Sequence, residues 1–567
     1  MAALDALKSG KIEKLTDEEL VKHSVTFREY VETATRLKVD RMQAAWNAYL
    51  GIVDFSEKAP WQSKNKLPKF SQAVRISKNT MKQSIIKADD FFAFEGITDK
   101  SRAVEKDITL GVKRVLEQAK FKEKKFANAV FRGLLENLMI YKTWVEDLGD
   151  ELPIHPDQDF KFPIQVVSTF DMFIDPTGRR KALLHKIKQD LSDYKRLVNR
   201  GVYTKESLEM VMENFERTEE ELRERVRKGL QDAPKPSWRK EVELLEYWGD
   251  VDDNMGNTVY RNVTYTIVNG VALARKPIDN PFKHKKAPFV WGPIFEIDGS
   301  EYHEGFADHV LELANMINET TNMILDSSLA SSVKAYEVDM NYIQNPSSLK
   351  SGIYPGKVIQ VNGVPPGAQA IREFSLGSVD QTSLQVLASL DREFQNATGI
   401  NEFISGVVGV GDKSATEVRQ KSAQSIGFMQ AVAEDIEDNS ITPLIEMVYS
   451  NILQYNPEIL GERVNQLPIE DLKFRFNVKG MSKILRQVDE LGQIFQWIGM
   501  VSKTPVGQQV NWAEIATMSA RLINQDPAKL LLQASNESKE VDQGVPAPQM
   551  AQEQGKLQIL KQMQGGQ

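Results

Sequence analysis

"EYHEGFADHVLELANMINETTNMILDSSLASSVKA", residues 301–335, is the stretch on which the reading of the whole chain turns. Phe306, Val310, Leu313, Ile317 and Ile324 follow one another at steps of three, four and seven, which predicts one helix with one apolar stripe. Helical throughout 303–334, it would extend about 48 Å. A second helix is expected over 378–398. Ser378 and Gln381 form its capping box, Gly399 stops it, and Leu387, Leu390, Phe394 and Ala397 make its stripe. Between the two, 335–377 holds short strand-like runs, "KVIQV" and "AIREF", around Asn362-Gly363 and Pro365-Pro366.

The next segment is "GVVGVGDKSATEVRQ", 406–420, which has the look of a nucleotide-binding loop. Gly406 and Gly411 are spaced for one, but Asp412 stands between Gly411 and Lys413, where a carboxylate would face the phosphates. No strong buried strand precedes it, and no hydrophobic strand ending in an acid follows nearby. Ser414-Ala-Thr-Glu417 reads better as a third capping box, opening a helix toward Tyr455 that is interrupted near Pro443. The glycines then belong to a small-residue loop joining two long helices. Beyond it, "LKFRFNVKG" alternates Leu472, Phe474, Phe476 and Val478 against Lys473, Arg475, Asn477 and Lys479, a half-buried strand. Helices are expected to about 535, and the tail from Val541, with Pro546, Pro548 and eight glutamines, reads as mobile or ordered by assembly.

Upstream, Thr16-Asp-Glu-Glu19 is a capping box for a helix running to Leu50-Gly51. Helix is expected through "NTMKQSIIKADDFFAF" (79–94) and from Ser101 to Ile140, strands in "YKTWVED" (141–147) and in "FPIQVVSTFDMFIDP" (162–176), and charged helix over 181–231. The strongest β signal is 240–276, where Asn269-Gly270 separates two β-branched runs as a type I′ hairpin turn does. The fold class expected is therefore mixed α+β, mainly helical.

The chain has 567 residues, enough for about four domain-sized units, with 41% hydrophobic and 26% charged residues. It has no cysteine, which removes disulfides, thiolate zinc sites and cysteine nucleophiles and fits a reducing cytoplasm. The opening "MAALDALKSGKIEKLTDEEL" lacks the apolar core of a signal peptide, and no apolar run is long enough to span a membrane. A net charge of −8 sets the surface as a whole against tight duplex binding.

No motif supplies catalytic chemistry. "DVDDNMGN", 250–257, places oxygens at Asp250, Asp252 and Asn254 like a calcium loop, but its glycine comes late and strands flank it; a solvated β connection is expected. His303, Glu304, Asp308 and His309 lack a metal-ligand spacing and read as surface residues. Glu434, Asp435, Glu437 and Asp438 read as a solvated acidic face, and Lys283, His284, Lys285 and Lys286 as surface charge or a contact with a neighbouring subunit or nucleic acid. No serine sits in a nucleophile elbow. No cofactor is expected.

The order of these pieces resembles the portal proteins of tailed bacteriophages over most of the chain. The likeness lies in "WQSKNKLPKFSQAVRISKNTMKQSI" (61–85) and "VVSTFDMFIDPTGRRKALLHKIKQDLSDYKRLVNRGVY" (166–203). It continues in "KKAPFVWGPIFEIDGSEYHEGFADHVLELANMINETTNMILD" (285–326) and "SATEVRQKSAQSIGFMQAVAEDIEDNSITPLIEMVY" (414–449). The resemblance implies a ring, usually a dodecamer, at one capsid vertex. It implies a wing over 1–302, stem helices at 303–334 and 378–399, and a clip at 335–377. It places a channel (tunnel) loop at 400–413, a kinked helix with a returning wing strand at 414–480, a crown at 481–535 and a tail at 536–567 that is mobile or a short barrel.

The implied partners are further copies of the chain, double-stranded DNA, the large terminase subunit, the major capsid and scaffolding proteins and a head–tail adaptor, in a virion assembled in the host cytoplasm. The DNA-facing residues would be Gly406, Val407, Val408, Gly409, Val410, Gly411, Asp412 and Lys413, and the partner-facing clip residues Asn345, Lys350, Lys357, Asn362 and Arg372. A loop of glycine and valine with one Asp–Lys pair suits a pore that must not grip its duplex, because each neutralised phosphate adds affinity and so a barrier to stepping. ATP would be hydrolysed by the terminase. Rival readings are an NTPase resting on 406–414 and a helical scaffold or adaptor that conducts no DNA.

Overall fold

The structure is a computed structural model that describes residues 15–86, 91–147, 160–178, 182–213, 240–253, 255–353, 357–375, 381–398, 432–468 and 471–478, with Ile515 alone beyond them. The chain divides into two compact units, Met1–Ile484 and Leu485–Gln567, and every helix and strand named below belongs to the first. It opens with α1 (Asp17–Leu50), whose Thr16 cap and Glu19 side chain form the expected reciprocal capping box and which ends at Gly51.

A five-stranded antiparallel sheet lies against α1. Its strands are β6 (Met172–Ile174), β7 (Ala182–Asp190), β8 (Glu241–Asp252), β9 (Thr258–Val268) and β10 (Ala272–Asp279), in the order β10-β9-β8-β7-β6. Asn269 and Gly270 both have positive φ, 49° and 68°, as the type I′ turn between β9 and β10 requires. Leu245 and Tyr247 of β8 pack with Leu20 and Val31 of α1. Val242 and Leu244 pack on the opposite side with Leu191, Tyr194 and Val198 of α5 (Leu191–Asn199). The expectation of helix over 181–231 is thus corrected for 182–190, and its part beyond Glu213 lies outside the described residues. Residues 182–190 form β7, helix begins only at Leu191, and α6 (Lys205–Glu213) follows. "ALLHKIKQD" carries its charges on a strand where Lys186 pairs with Asp171 of the preceding 3-10 turn and His185 lies 3.4 Å from Glu246 of β8, so its charge density does not mark a solvated helix.

Four further expectations shift. Residues 92–96 are β1 rather than helix, which stops at Ile86, the end of α2 (Lys69–Ile86). α3 (Asp99–Gln118) and α4 (Phe126–Glu136), joined through a π turn, end earlier than Ile140: Asn137 adopts φ 67° and β2 (Leu138–Thr143) begins at once. The run 162–176 is split by a 3-10 turn. β5 (Ile164–Val167) joins β2 and β11 (Phe289–Pro293), whereas β6 joins the larger sheet; β3 (Glu146–Asp147) and β4 (Phe160–Lys161) make a separate short pair. Finally, "KVIQV" forms only one isolated bridge, Ile343 to Val361. The real partner of β13 (Ile371–Ser375) is β12 (Lys334–Val338), formed directly after α7 (Phe306–Ser332).

The long helix is described from Val432. Its buried positions 432, 436, 440, 444, 448 and 452 recur every fourth residue. On an ideal α-helix that spacing drifts by about 40° per step. The wider π turn at Glu437–Ile441, just before α9 (Thr442–Tyr455), takes up the drift, and Thr442 N–H donates to Glu437 O. Pro443 has no N–H to offer the preceding turn, which is why the expected interruption falls here. After the short α10 (Glu462–Asn465), β14 (Phe474–Val478) returns to pair antiparallel with β1, Phe94 opposite Phe476 and Gly96 opposite Phe474.

Phe94 is the centre of that closure, with ring centroids 4.7 Å from Phe476, 5.0 Å from Tyr449 and 6.0 Å from Phe474. Phe94→Ala is expected to cost about 3–5 kcal/mol in a chemical-denaturation measurement. Lys473→Ala, at an exposed position of the same edge, should change stability by less than about 0.5 kcal/mol.

Candidate functional site: a rooted helical stem

The stretch 301–306 is built as a joint. Tyr302 is buried; its hydroxyl accepts Ile174 N–H at 3.1 Å, and its carbonyl accepts from the Lys38 ammonium. Glu301 accepts the Trp291 indole N–H at 2.7 Å. His303 is also buried, its Nδ1 accepting Ile297 N–H at 3.0 Å, so it is a structural group and the expectation of a surface histidine is corrected for it. His309 is exposed, 3.4 Å from Glu304, as expected. Asn137, in its left-handed conformation, donates to His303 O and to Asp308 Oδ2, each at 3.1 Å, while Asp308 also accepts Gly305 N–H to cap α7. A Cβ on Gly305 would lie 2.0 Å from Asn137 Oδ1, so glycine is what lets helix start and sheet end touch.

From this root α7 carries the anticipated stripe. Phe306, Val310 and Ile317 are buried, Leu313 is half-buried, and all four pack in the largest apolar core, whereas Ile324, the fifth of the expected stripe, is half-buried outside it. The second stem helix, α8 (Gln381–Thr398), adds Leu387, Leu390, Phe394 and Ala397 to the same core. Its cap at Ser378 lies outside the described residues. So does the loop Gly406, Val407, Val408, Gly409, Val410, Gly411, Asp412 and Lys413, together with the helix start at Ser414. The described residues on either side, Phe394 and Val432, are both buried in that core.

Two features distinguish α7 from an ordinary core helix. Its 27 residues include Asp308, Glu312, Glu319 and Asp326 but neither lysine nor arginine, so whichever face meets a polyanion offers it no cation. Large apolar side chains also remain exposed on it, Met316 and Met323 on one flank, Leu325 and Leu329 on another. At 3.6 residues per turn these flanks stand roughly 150° apart.

The segment between the stem helices is held by its own hydrogen bonds. Asn345 Oδ1 accepts from Ser347 Oγ, and Asn362 N–H donates to Tyr342 O. Lys357 is half-buried, its ammonium bound to the carbonyls of Ser348 and Gly352, so it braces the turn from inside. Asn345, Lys350, Asn362 and Arg372 are exposed.

The remaining sequence candidates resolve into structural roles. In 250–257, Asp250 accepts Asn262 N–H, Asp252 the Thr258 hydroxyl and Asp253 the N–H groups of Met255 and Asn257, which is a solvated hairpin connection. In 283–286, Lys283, Lys285 and Lys286 are exposed, while His284 stacks on Phe282 at 5.1 Å and burial lowers its pKa. A cavity of about 470 Å³ between the sheets is lined by Trp46, Trp144 and several charged groups. Its cations are matched: Arg132 with Glu136 at 2.8 Å, Lys186 with Asp171 at 3.3 Å, and Lys142 with Glu246 at 2.5 Å. Burial alone would raise the Glu246 pKa, but Lys142 and His185 hold it low. Matched pairs of this kind are what buried charges need to persist.

The described residues form a mixed α+β body in whose core two long helices, α7 and α8, are packed against each other. The family model described as phage SU10 portal protein matches residues 155–565, and the chain belongs to that family. Among curated proteins none matches the chain significantly. Among the described residues no helix is long and apolar enough to cross a membrane, and no group of three or more His, Asp or Glu is gathered as a metal site.

Glu437 departs from the expected solvated acidic face. The π turn brings it into the interior, 5% exposed, where its Oε1 has no hydrogen-bond partner. Burial, with repulsion from Asp438 and Glu434, pushes its pKa up to about 8. Burial likewise raises Asp435, with Glu296, Asp438 and Glu434 adding to it. The folded state therefore keeps the Glu437 proton through a range in which the unfolded chain releases it, and stability falls as pH rises from about 4.5 to about 8. Glu437→Gln is expected to raise stability by roughly 3 kcal/mol at pH 8 and by little at pH 4 in thermal melts.

Proposed function

We propose that copies of this chain close into a ring, a dodecamer on the family pattern, forming the channel through which double-stranded DNA enters and leaves a phage capsid. α7 and α8 form the stem within 303–334 and 378–399, and 335–377 is the clip. Residues 1–302 with 414–480 make the wing, 400–413 the channel loop, 481–535 the crown and 536–567 the tail. The ring sits at one capsid vertex of the virion, after assembly in the host cytoplasm among capsid and scaffolding proteins. Through its clip it meets the large terminase subunit and later a head–tail adaptor; Asn345, Lys350, Asn362 and Arg372 are its exposed contact candidates, and Lys357 supports them from within. ATP hydrolysis belongs to the terminase.

The observation that carries this reading is the pair of uncovered apolar flanks on α7. A two-fold dimer needs one self-complementary patch, whereas a closed ring makes each subunit use two different faces against two neighbours. The cation-free α7 supports the second half, because a stem that neutralised phosphates would hold the duplex instead of letting it slide.

Negative-stain images of the purified chain are expected to show rings with an axial hole, and scattered monomers would refute the proposal. Met323→Glu with Leu329→Glu, both exposed in the single chain, should convert rings to monomers with little change in melting temperature. Arginine in place of Val407, Val408 and Val410 should leave rings intact and slow DNA packaging several-fold, since each added phosphate contact strengthens the grip; unchanged packaging would refute the light-contact channel.

A further inference from the structure

Residues 62–67 run along α7 and are attached to it in an unusual way. The N–H groups of alternate residues donate to side chains one helical turn apart. Ser63 donates to Asp326 Oδ1 at 2.5 Å, Asn65 to Asn322 Oδ1 at 3.1 Å and Leu67 to Asn318 Oδ1 at 3.0 Å. Asn322 Nδ2 returns a bond to Asn65 O at 3.0 Å, so its amide pairs with the segment as a neighbouring strand would. The match is metric: four helical residues rise about 6 Å and two extended residues about 6.6 Å.

We infer that 62–67 is a clasp that sets the axial register of the stem helix against the body, with Asn318, Asn322 and Asp326 as its positioning residues. Only one register satisfies all three N–H groups, because a slip of one rung sets an amide opposite Ala314 or Ala330, which accept nothing. Asn322 is 1% exposed, which makes its rung costly to open, and an amide is the one side chain there that can both give and accept. The segment is tied at both ends. Lys58 donates to Ser63 O at 3.1 Å, and Lys69 pairs with Asp391 of α8 at 2.6 Å, so both stem helices are gripped. It precedes the family-matched residues 155–565, so the clasp is argued from this chain's geometry alone. Its bearing on the channel rests on the portal reading; its existence does not.

Residue-resolved hydrogen exchange on the full chain tests it. The amides of 63, 65 and 67 should exchange at least about tenfold more slowly than those of 64 and 66. In Asn318→Ala/Asn322→Ala/Asp326→Ala all five should exchange alike, with β8 amides unchanged. Should that variant fail to fold, Asn322→Asp, which keeps the acceptor and loses the donor, should loosen residue 65 most. Even exchange in the unaltered chain, or protection that survives these substitutions, overturns the clasp. In rings of the triple variant, the clip should spread in height relative to the wing and packaging should fall. Normal packaging by rings that have lost the protection overturns the positioning role, and absence of rings from the unaltered chain overturns that role with the portal reading, while exchange still judges the clasp.

Discussion

The long helices α7 and α8 and the helix around Val432–Tyr455 share one apolar core with the body. Phe306, Val310 and Ile317 enter it from α7, Phe394 from α8, and Ile436, Ile445 and Val448 from the third. Val112, Leu134 and Tyr141 meet them there. Close-packed interiors resist displacement, so this core is what gives a 27-residue helix a direction. At about 40 Å, α7 is a lever, and a small rotation at its base becomes a displacement of several ångströms at its tip. Rigidity at the base is therefore worth more to the molecule than rigidity along the shaft.

The polar groups around the root serve the same end. Where the chain passes from sheet to helix its backbone groups need partners, and burial denies them water. Asn137, His303 and Asp308 supply those partners from three elements, and Gly305 allows the approach. Leaving any one unpaired would strand its neighbours, so the joint is specified by hydrogen-bond geometry as much as by apolar packing. The shaft beyond is different: it keeps methionine and leucine in water, and its own carboxylates are unopposed by any cation on the same helix.

The parts of this architecture that local chemistry determines were legible in the residues. The Thr16 box, the Asn269-Gly270 turn and the stripes of α7 and α8 depend on neighbours a few positions away, and each appears where the pattern placed it, save that Ile324 stays outside the core. The elements misread are those decided by distant partners. Phe92 to Gly96 could continue a helix; it is a strand because Phe474 to Val478 come back to pair with it. "ALLHKIKQD" looked helical because the strand it pairs with, Glu241–Asp252, and the carboxylate that meets Lys186, Asp171, lie elsewhere in the sequence. His303 and Glu437 looked solvent-facing because neither the Ile297 N–H nor the phase change of a π turn is visible from spacing alone. The rungs at Asn318, Asn322 and Asp326 went unread, because nothing local says that a distant segment lies on them.

The pairing of Phe92–Gly96 with Phe474–Val478 also has a temporal side. A ribosome delivers the first strand early and its partner only after the residues between them, 97–473, have emerged. Non-local contacts of this kind are slow to form and leave apolar edges open meanwhile. Until the second strand has been made, the edge of Phe92–Gly96 has no partner strand to close it. Closure of this part of the core waits on the arrival of one short aromatic strand.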